Sequence, residues 1–255
     1  MEYTKMHGTQ NKFLVFDNME EPLENPQAAS IELCRKEDVD GIILVMPPKN
    51  KNNDFMMRIF NRDGSEAEMC GNGIRCFARY VFDSRMTEKK MFNIETLAGL
   101  RVPEIISKNM VKVDMDEPKP GKMNERLVIG GREFAINTVS MGNPHCVIFV
   151  DRITDSLVLG DGPRIEVDKR FSKKTNVEFI RMIDDDEIEM RVWERGTGET
   201  MACGTGACAS VVAAVLNGKS RKDGDVKVHL LGGDLVIRWN SATDHVFMTG
   251  NAEYL

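Results

Sequence analysis

Short apolar runs separated by polar breaks dominate the chain, and most are too short to be helices. Residues 1–17 read as a strand, a polar loop from His7 to Asn11, and a second strand around the run Phe13 to Phe16. Gly41 to Met46 reads as a buried strand stopped by Pro47-Pro48, and Phe55 to Phe60 as another that turns at Asn61-Arg62-Asp63-Gly64. Pro26 opens a predicted helix to about Arg35, because proline is tolerated at the first helical position. Further strands are predicted near residues 91–95, 100–106, 110–115, 177–182, 188–193, 226–231, 235–239 and 245–249, with Asp184-Asp185-Asp186 as a solvated hairpin turn. Two segments break this pattern. Residues 74–82 and 207–216 are hydrophobic nearly all round, which predicts two buried helices, the second stopping at Asn217-Gly218.

These helices close two copies of one unit. MRIFNRDGSEAEMCGNGIRCFARYVFD, starting at Met57, aligns without a gap on MRVWERGTGETMACGTGACASVVAAVL, starting at Met190. Arg58 pairs with Arg191, Arg62 with Arg195, Glu66 with Glu199, Cys70 with Cys203, Gly71 with Gly204 and Gly73 with Gly206. Each copy runs from a strand through a polar loop and a Cys-Gly-x-Gly turn into the apolar helix. Val139 to Asp151 also echoes the N-terminus, since Gly142 and Asp151 have the spacing of Gly8 and Asp17. The fold class that follows is α/β of the α+β type, with two pseudo-symmetric domains, each a mostly antiparallel β-sheet wrapped around a central helix. Asp116-Glu117-Pro118-Lys119-Pro120-Gly121 is the best linker, an exposed charged crossing that separates residues 1–117 from 118–242.

Composition adds boundaries to this picture. A chain of 255 residues has room for two domains with a core each. No apolar run approaches the roughly 20 residues of a membrane-spanning helix, and the N-terminus has no signal-peptide pattern, so a cytoplasmic protein is expected. The net charge of −6 argues against a nucleic-acid surface. Six cysteines in such a chain read as free thiols, and seventeen methionines as core filler.

The Cys-Gly-x-Gly turns carry the chemistry. A cysteine opening a helix lies beside unpaired backbone N–H groups that favour an anion, so its thiol can ionise more readily, and the same groups can hold a carboxylate. Two such thiols on opposite sides of one carbon can remove a proton from one face and deliver one to the other, inverting the centre with neither metal nor pyridoxal phosphate. Helix N-termini stabilise the charge that spreads into the carboxylate meanwhile. One such turn alone is more readily a tight structural turn; two at matched positions reverse that preference and favour chemistry. Zinc is a poor alternative, since Cys70/Cys76 and Cys203/Cys208 point around their helices rather than converging. Cys76 and Cys208 read as core packing, and Cys34 and Cys146 carry no separate signal.

Together these segments resemble the diaminopimelate epimerase family, cofactor-independent two-base enzymes of lysine and cell-wall biosynthesis. The resemblance covers nearly the whole chain. It rests on Lys5-Met6-His7-Gly8, Phe60-Asn61 with Asp63-Gly64-Ser65-Glu66, Cys70-Gly71-Asn72-Gly73, Met141-Gly142-Asn143-Pro144-His145, Thr175-Asn176-Val177-Glu178-Phe179, and Glu194-Arg195-Gly196 through Cys203-Gly204-Thr205-Gly206. It implies that Cys70 and Cys203 are the acid/base pair and that Gly71-Asn72 and Gly204-Thr205 bind the reacting carboxylate. It implies that His145 and Glu194 neighbour the reacting amino group and carboxylate. Asn11, Asn61, Asn143, Asn176 and Arg195 would hold the distal amino-acid end, with arginine suited to a forked bond to its carboxylate. Residues 243–255 would return to complete the first domain.

Each residue also has a plain reading by itself: Asn61 as a turn cap, Glu194 and Arg195 as a surface ion pair, His145 as a satisfied core histidine, and Asn11, Asn143 and Asn176 as ordinary loop residues. The chain departs from the usual family pattern at Gln10-Asn11-Lys12 and at Glu37-Asp38-Val39-Asp40-Gly41. The reading implies no cofactor, no metal, a small-molecule substrate, and no nucleic-acid or membrane partner; a homodimer is compatible with it. Three alternatives compete. A proline racemase or hydroxyproline epimerase typically has histidine where this chain has Asn72. A thiol redox switch would use the same cysteines for a disulfide, and an amino-acid-binding module would use the helix N-termini without chemistry.

Overall fold

The computed structural model describes residues 2–255. The chain forms two compact units, one running up to Asp114 and resuming at Thr249–Leu255, the other Met115–Met248.

The first unit holds β1 (Thr4–Gly8), β2 (Asn11–Asp17), α1 (Pro26–Glu37), β3 (Gly41–Met46), β4 (Phe55–Asn61), β5 (Glu66–Ala67), α2 (Gly71–Asp83), β6 (Ile94–Thr96), β7 (Gly99–Arg101), β8 (Glu104–Ile105) and β9 (Met110–Asp114). The second holds β10 (Lys119–Pro120), β11 (Glu125–Ile129), β12 (Arg132–Ser140), β13 (Pro144–Phe149), a π-helical turn (Ser156–Asp161), α3 (Gly162–Glu166), β14 (Asn176–Asp184), β15 (Glu187–Glu194), β16 (Gly198–Glu199), α4 (Gly204–Leu216), β17 (Val226–Leu230) and β18 (Gly233–Trp239). The chain passes back into the first unit within β19 (Val246–Asn251) and ends in β20 (Glu253–Tyr254), which pairs with β1.

The duplication is visible in the pairing. From β1 through β2, β3, β4 and β6 to β7, adjacent strands alternate antiparallel, parallel, antiparallel, parallel, antiparallel. The series β12, β13, β14, β15, β17, β18 repeats that alternation. The short strands β5 and β16 fold back antiparallel on β4 and β15 just before each central helix. In both units an arginine–glutamate fork braces that fold-back. Arg58 donates to Glu66 at 2.6 and 2.9 Å, and Arg191 to Glu199 at 2.7 and 3.2 Å, so the aligned pairs of the two sequence copies do one job twice.

Each central helix packs on strands of its own unit: α2 on β1, β2, β3 and β9, and α4 on β12, β13, β14 and β18. Ile74, Phe77 and Val81 are wholly buried on α2, as are Ala207, Val212 and Ala213 on α4, and each such valine, isoleucine or phenylalanine contributes about 1.5–3 kcal/mol. The two helices differ in one respect that the sequence reading missed. While α4 is apolar all round, α2 buries two arginines, Arg75 completely and Arg79 nearly so.

Several local predictions shift. The N-terminal loop is only a two-residue turn, because both Thr9 (φ 50°) and Gln10 (φ 64°) take the left-handed conformation and let β1 and β2 pair up to Gly8 opposite Asn11. The predicted strand over 100–106 is interrupted at Val102-Pro103, since proline lacks a ladder donor. In the proposed linker, Lys119 and Pro120 form a short strand against Ser140 and Val139. The hairpin β11–β12 and the short helices over 156–166 were not predicted.

Candidate active site

In the first unit, the β4–β5 fold-back delivers Cys70 to the start of α2. Cys70 is the helix N-cap, extended at φ −136° and ψ 121°, and its Sγ accepts the Gly73 N–H at 3.4 Å. Gly73 fits because a Cβ there would come 2.9 Å from Ile59 Cδ1. Asn11 comes to the same place, with its Oδ1 3.7 Å from Cys70 Sγ and accepting from Asn72 Nδ2 at 3.3 Å. Asn72 is itself oriented from behind. Its Oδ1 accepts from Thr9 Oγ1 at 3.1 Å and from buried Arg75 at 3.0 Å, which leaves the amide nitrogen facing Asn11. Arg75 also donates to Thr9 Oγ1 and to the carbonyls of Gly71 and Asn251. Asn11 Nδ2 and Lys12 N both donate to Asp40 at 2.8 Å, which is how the unusual Gln10-Asn11-Lys12 segment is tied down.

The second unit repeats the cap. Cys203 opens α4 at φ −123° and ψ 107°, and its Sγ accepts the Gly206 N–H at 3.4 Å. Thr205 Oγ1 lies 3.5 Å from the sulfur, and Asn143 Nδ2 donates to Thr205 Oγ1 at 3.3 Å. His145, buried on β13, joins Asn143 Oδ1 through Nε2 at 3.0 Å and Glu178 Oε1 through Nδ1 at 2.7 Å. Glu194, half-buried at the end of β15, accepts from Thr200 Oγ1. Burial raises the Glu194 carboxyl above its ordinary range; the Thr200 hydrogen bond opposes this and the charge of Glu178 adds to it.

Charge and burial act differently on the thiols than a helix N-terminus alone suggests. Burial pushes the Cys203 thiol well above its usual range, Glu194 and Glu178 push it the same way, and the hydrogen bonds from Thr205 and Gly206 do not offset them. The sequence-based expectation that this turn favours a thiolate is reversed at Cys203. Burial also pushes core thiols up, Cys34 to about 11 and Cys76 to about 12, as suits inert packing. Among the described residues, which include all six cysteines, no disulfide is formed.

Over residues 3–120 and 137–255 the sequence matches the family model described as diaminopimelate epimerase. The diaminopimelate epimerase of Acetivibrio thermocellus is 46% identical over 271 residues, covering 99% of this chain and 95% of that one. That of Halothermothrix orenii is 47% identical over 274 residues, with the same coverage. This chain belongs to the diaminopimelate epimerase family.

Its fold is shared more widely. A phenazine biosynthesis protein of Bacillus anthracis superposes with a TM-score of 0.76 at 16% identity, covering 100% of this chain and 98% of that one. A hydroxyproline epimerase of Agrobacterium vitis gives 0.71 at 15% identity, covering 99% and 88%. Among the described residues no helix is long and apolar enough to cross a membrane.

Against the family pattern, the site residues fall into two groups. Cys70, Gly71, Asn72 and Asn11 gather at one helix start, and Cys203, Gly204, Thr205, Asn143 and His145 at the other. The other group is engaged locally. Asn61 donates to Ser65 within its own turn. Asn176 accepts from the Arg195 N–H at 2.9 Å and donates to the Pro144 carbonyl at 3.0 Å, so it joins two segments of the second unit. The exposed Arg195 guanidinium donates to the Lys173 carbonyl and forms no pair with Glu194. Sequence reasoning gave no part to Thr9, Asp40, Arg75, Glu178 or Thr200. For Glu178 and Arg75 the signal was a charge inside an apolar run; for the other three there was none.

Proposed function

We propose that this protein converts LL-2,6-diaminopimelate to meso-diaminopimelate without a cofactor, serving lysine and peptidoglycan precursor biosynthesis in the cytoplasm. Family membership supports the substrate and the reaction class. The observation that carries the mechanism is the repeated cap: both central helices begin on a cysteine whose sulfur accepts the third helical N–H at 3.4 Å. In this reading Cys70 and Cys203 act on opposite faces of the substrate α-carbon, one as base and the other as acid. Backbone N–H groups of Gly71-Asn72 and Gly204-Thr205 hold the α-carboxylate and stabilise the charge that develops there. His145 and Glu194 stand by the reacting amino group and carboxylate, while Asn11, Asn61, Asn143, Asn176 and Arg195 serve the distal end. The working unit is proposed to be a homodimer of two-domain chains.

Solvent-deuterium exchange over a panel of amino acids tests the reading. Diaminopimelate should gain deuterium at its α-carbon and proline should not, and Cys70→Ala and Cys203→Ala should each abolish epimerisation while keeping the far-ultraviolet circular dichroism. Deuterium in proline but not in diaminopimelate, or near-normal turnover by either variant, would refute it.

A further inference from the structure

One buried carboxylate is not required by the fold. Glu178 is completely buried within the apolar run of β14. The strand registers show what the other unit puts there. Val177 lies opposite Trp193 as Ile42 lies opposite Phe60, so Glu178 holds the place of Ile43. His145 is paired with Asn176 as Phe13 is with Gly41, so His145 holds the place of Phe13. One unit fills this position with two apolar side chains, and the other with a carboxylate and an imidazole hidden from solvent and 2.7 Å apart. Gly206 makes the space, since a Cβ there would come 2.8 Å from Glu178 Oε1 and 3.3 Å from Cys203 Sγ. Glu178 Oε2 has no hydrogen-bond partner. Burying a carboxylate this way costs stability that an apolar pair would not.

From this pair a line of side chains leads to the sulfur: His145 Nε2 to Asn143 at 3.0 Å, Asn143 to Thr205 at 3.3 Å, and Thr205 to Cys203 at 3.5 Å. Turning the Asn143 amide end for end keeps both of its contacts and reverses their direction. We propose that Glu178 is a positioning residue for the Cys203 thiol: by accepting the Nδ1 proton of His145 it fixes which way the hydrogen bonds run through Asn143 and Thr205. The inference rests on Cys203 being one of the two reacting thiols. A carboxylate on Nδ1 leaves the Nε2 lone pair of neutral His145 facing Asn143, which then donates to it through Nδ2. Asn143 Oδ1 in turn accepts from the Thr205 hydroxyl, and the Thr205 oxygen accepts from the Cys203 S–H. The thiol, the proton-donating form, is thereby favoured at rest. With the proton on Nε2 instead, the line reverses and Thr205 donates to a thiolate. Hydrogen-bond direction passes along this line, and no proton does. The titratable groups facing Glu178 are His145 from β13, Glu194 from β15 and Cys203 from α4, while Cys146 lies on the other face of the sheet with Val177 and Phe179 and feels the charge of Glu178 through it.

Iodoacetamide alkylation of Cys203 against pH, read on its tryptic peptide by mass spectrometry in a Cys70→Ala background with no amino acid present, tests this. Glutamine can donate to Nδ1 as well as accept, so Glu178→Gln should lower the alkylation midpoint by about one pH unit, or about tenfold in rate below it. Loss of a nearby charge would act in the same direction, so the decisive measurement is the same substitution with the line cut by Thr205→Val. There Glu178→Gln should lower the midpoint by clearly less than in the Thr205 protein, leaving only the direct effect of the lost charge on the sulfur. An undiminished effect in Thr205→Val, or none in the Thr205 protein, overturns the proposal. Should Glu178→Gln not fold, Asn143→Ala removes the Nε2 contact of His145 and interrupts the line while leaving the His145–Glu178 contact in place, and an unshifted midpoint there refutes it equally. Since the readout needs no substrate, its failure is distinct from a failure of the deuterium assay.

Discussion

Gly73 and Gly206 occupy equivalent positions three residues after the two cysteines, yet alanine should be tolerated at one and not at the other. Either substitution gains up to about 1 kcal/mol of helix propensity. At Gly73 the new Cβ meets the tip of Ile59 at 2.9 Å and that of Ile43 at 3.5 Å, both flexible ends that can turn aside. At Gly206 it meets Glu178 Oε1 at 2.8 Å and Cγ at 3.2 Å, on a side chain fully buried and held by His145, which Asn143 holds in turn. Accommodating the methyl costs about 1–3 kcal/mol as overpacking where a neighbour can yield, but about 3–5 kcal/mol where, as here, the carboxylate must be driven off its imidazole partner. Net of propensity, Gly206→Ala should lose about 2–4 kcal/mol, and Gly73→Ala should stay within about 1 kcal/mol of the parent. For a chain of this size that corresponds to a fall in Tm of roughly 5–15 °C for Gly206→Ala. Both tryptophans, Trp193 and Trp239, lie in the second unit, so tryptophan fluorescence in a urea or thermal titration follows the unit that Gly206 affects, and calorimetry covers the other. A Gly206→Ala protein as stable as Gly73→Ala would refute the claim that the carboxylate is fixed in place.

Three further outcomes are expected. Cys70 is the one cysteine that is not buried, so limited iodoacetamide at pH 8 should modify it at least about tenfold faster than Cys203 and leave the four core thiols intact; peptide mass spectrometry showing Cys203 ahead would contradict this. Burial holds the Glu194 carboxyl above its ordinary 4.5, so the folded protein keeps a proton that the unfolded chain has released, and stability should decline as pH rises from that value through the folded one. Glu194→Gln should flatten this decline in a series of denaturant midpoints, and an unchanged slope would count against it. Thr9→Gly relieves a left-handed β-branched residue, worth about 1–2 kcal/mol, but removes the hydroxyl that donates to Asn72 and accepts from Arg75; a net loss of stability of about 1–3 kcal/mol is expected, and a gain would mean that the strain outweighs the bonds.

Legibility followed the range of the interactions. The strand Gly41–Met46 and the helix Gly204–Leu216 were plain because a continuous apolar run bounded by Pro47-Pro48, or by Asn217-Gly218, fixes an element locally. The thiol caps were plain because duplication presents them twice. The β11–β12 hairpin was missed although Gly130-Gly131, both at positive φ, is a good two-residue turn signal. The five-residue helix Gly162–Glu166 has too few residues to show a period. Matching Gly8 and Asp17 to Gly142 and Asp151 by spacing was wrong by two residues: the registers make Asn11 equivalent to Asn143 and Phe13 to His145, since the turns before them differ in length. Glu178 stayed without a role because its partner His145 lies 33 positions away, joined to it only by the parallel pairing of β13 and β14.

Two identical thiols in identical surroundings make neither an acid nor a base by preference, and backbone duplication alone would produce that. The caps themselves are alike, with the same extended cysteine and the same 3.4 Å contact to a glycine N–H. What differs is the charge that each unit buries behind its cap. On α2 the position aligned with Cys208 is Arg75, a fully buried cation that turns Asn72 toward Asn11. On β14 the position equivalent to Ile43 is Glu178, a fully buried anion joined to His145. Neither substitution alters the strand order or the start of the helix, so each unit could have kept an apolar residue there. Opposite charges behind otherwise equal caps give the two thiols of a duplicated fold unequal surroundings, and alkylation of Cys70 against Cys203 is where the consequence becomes measurable.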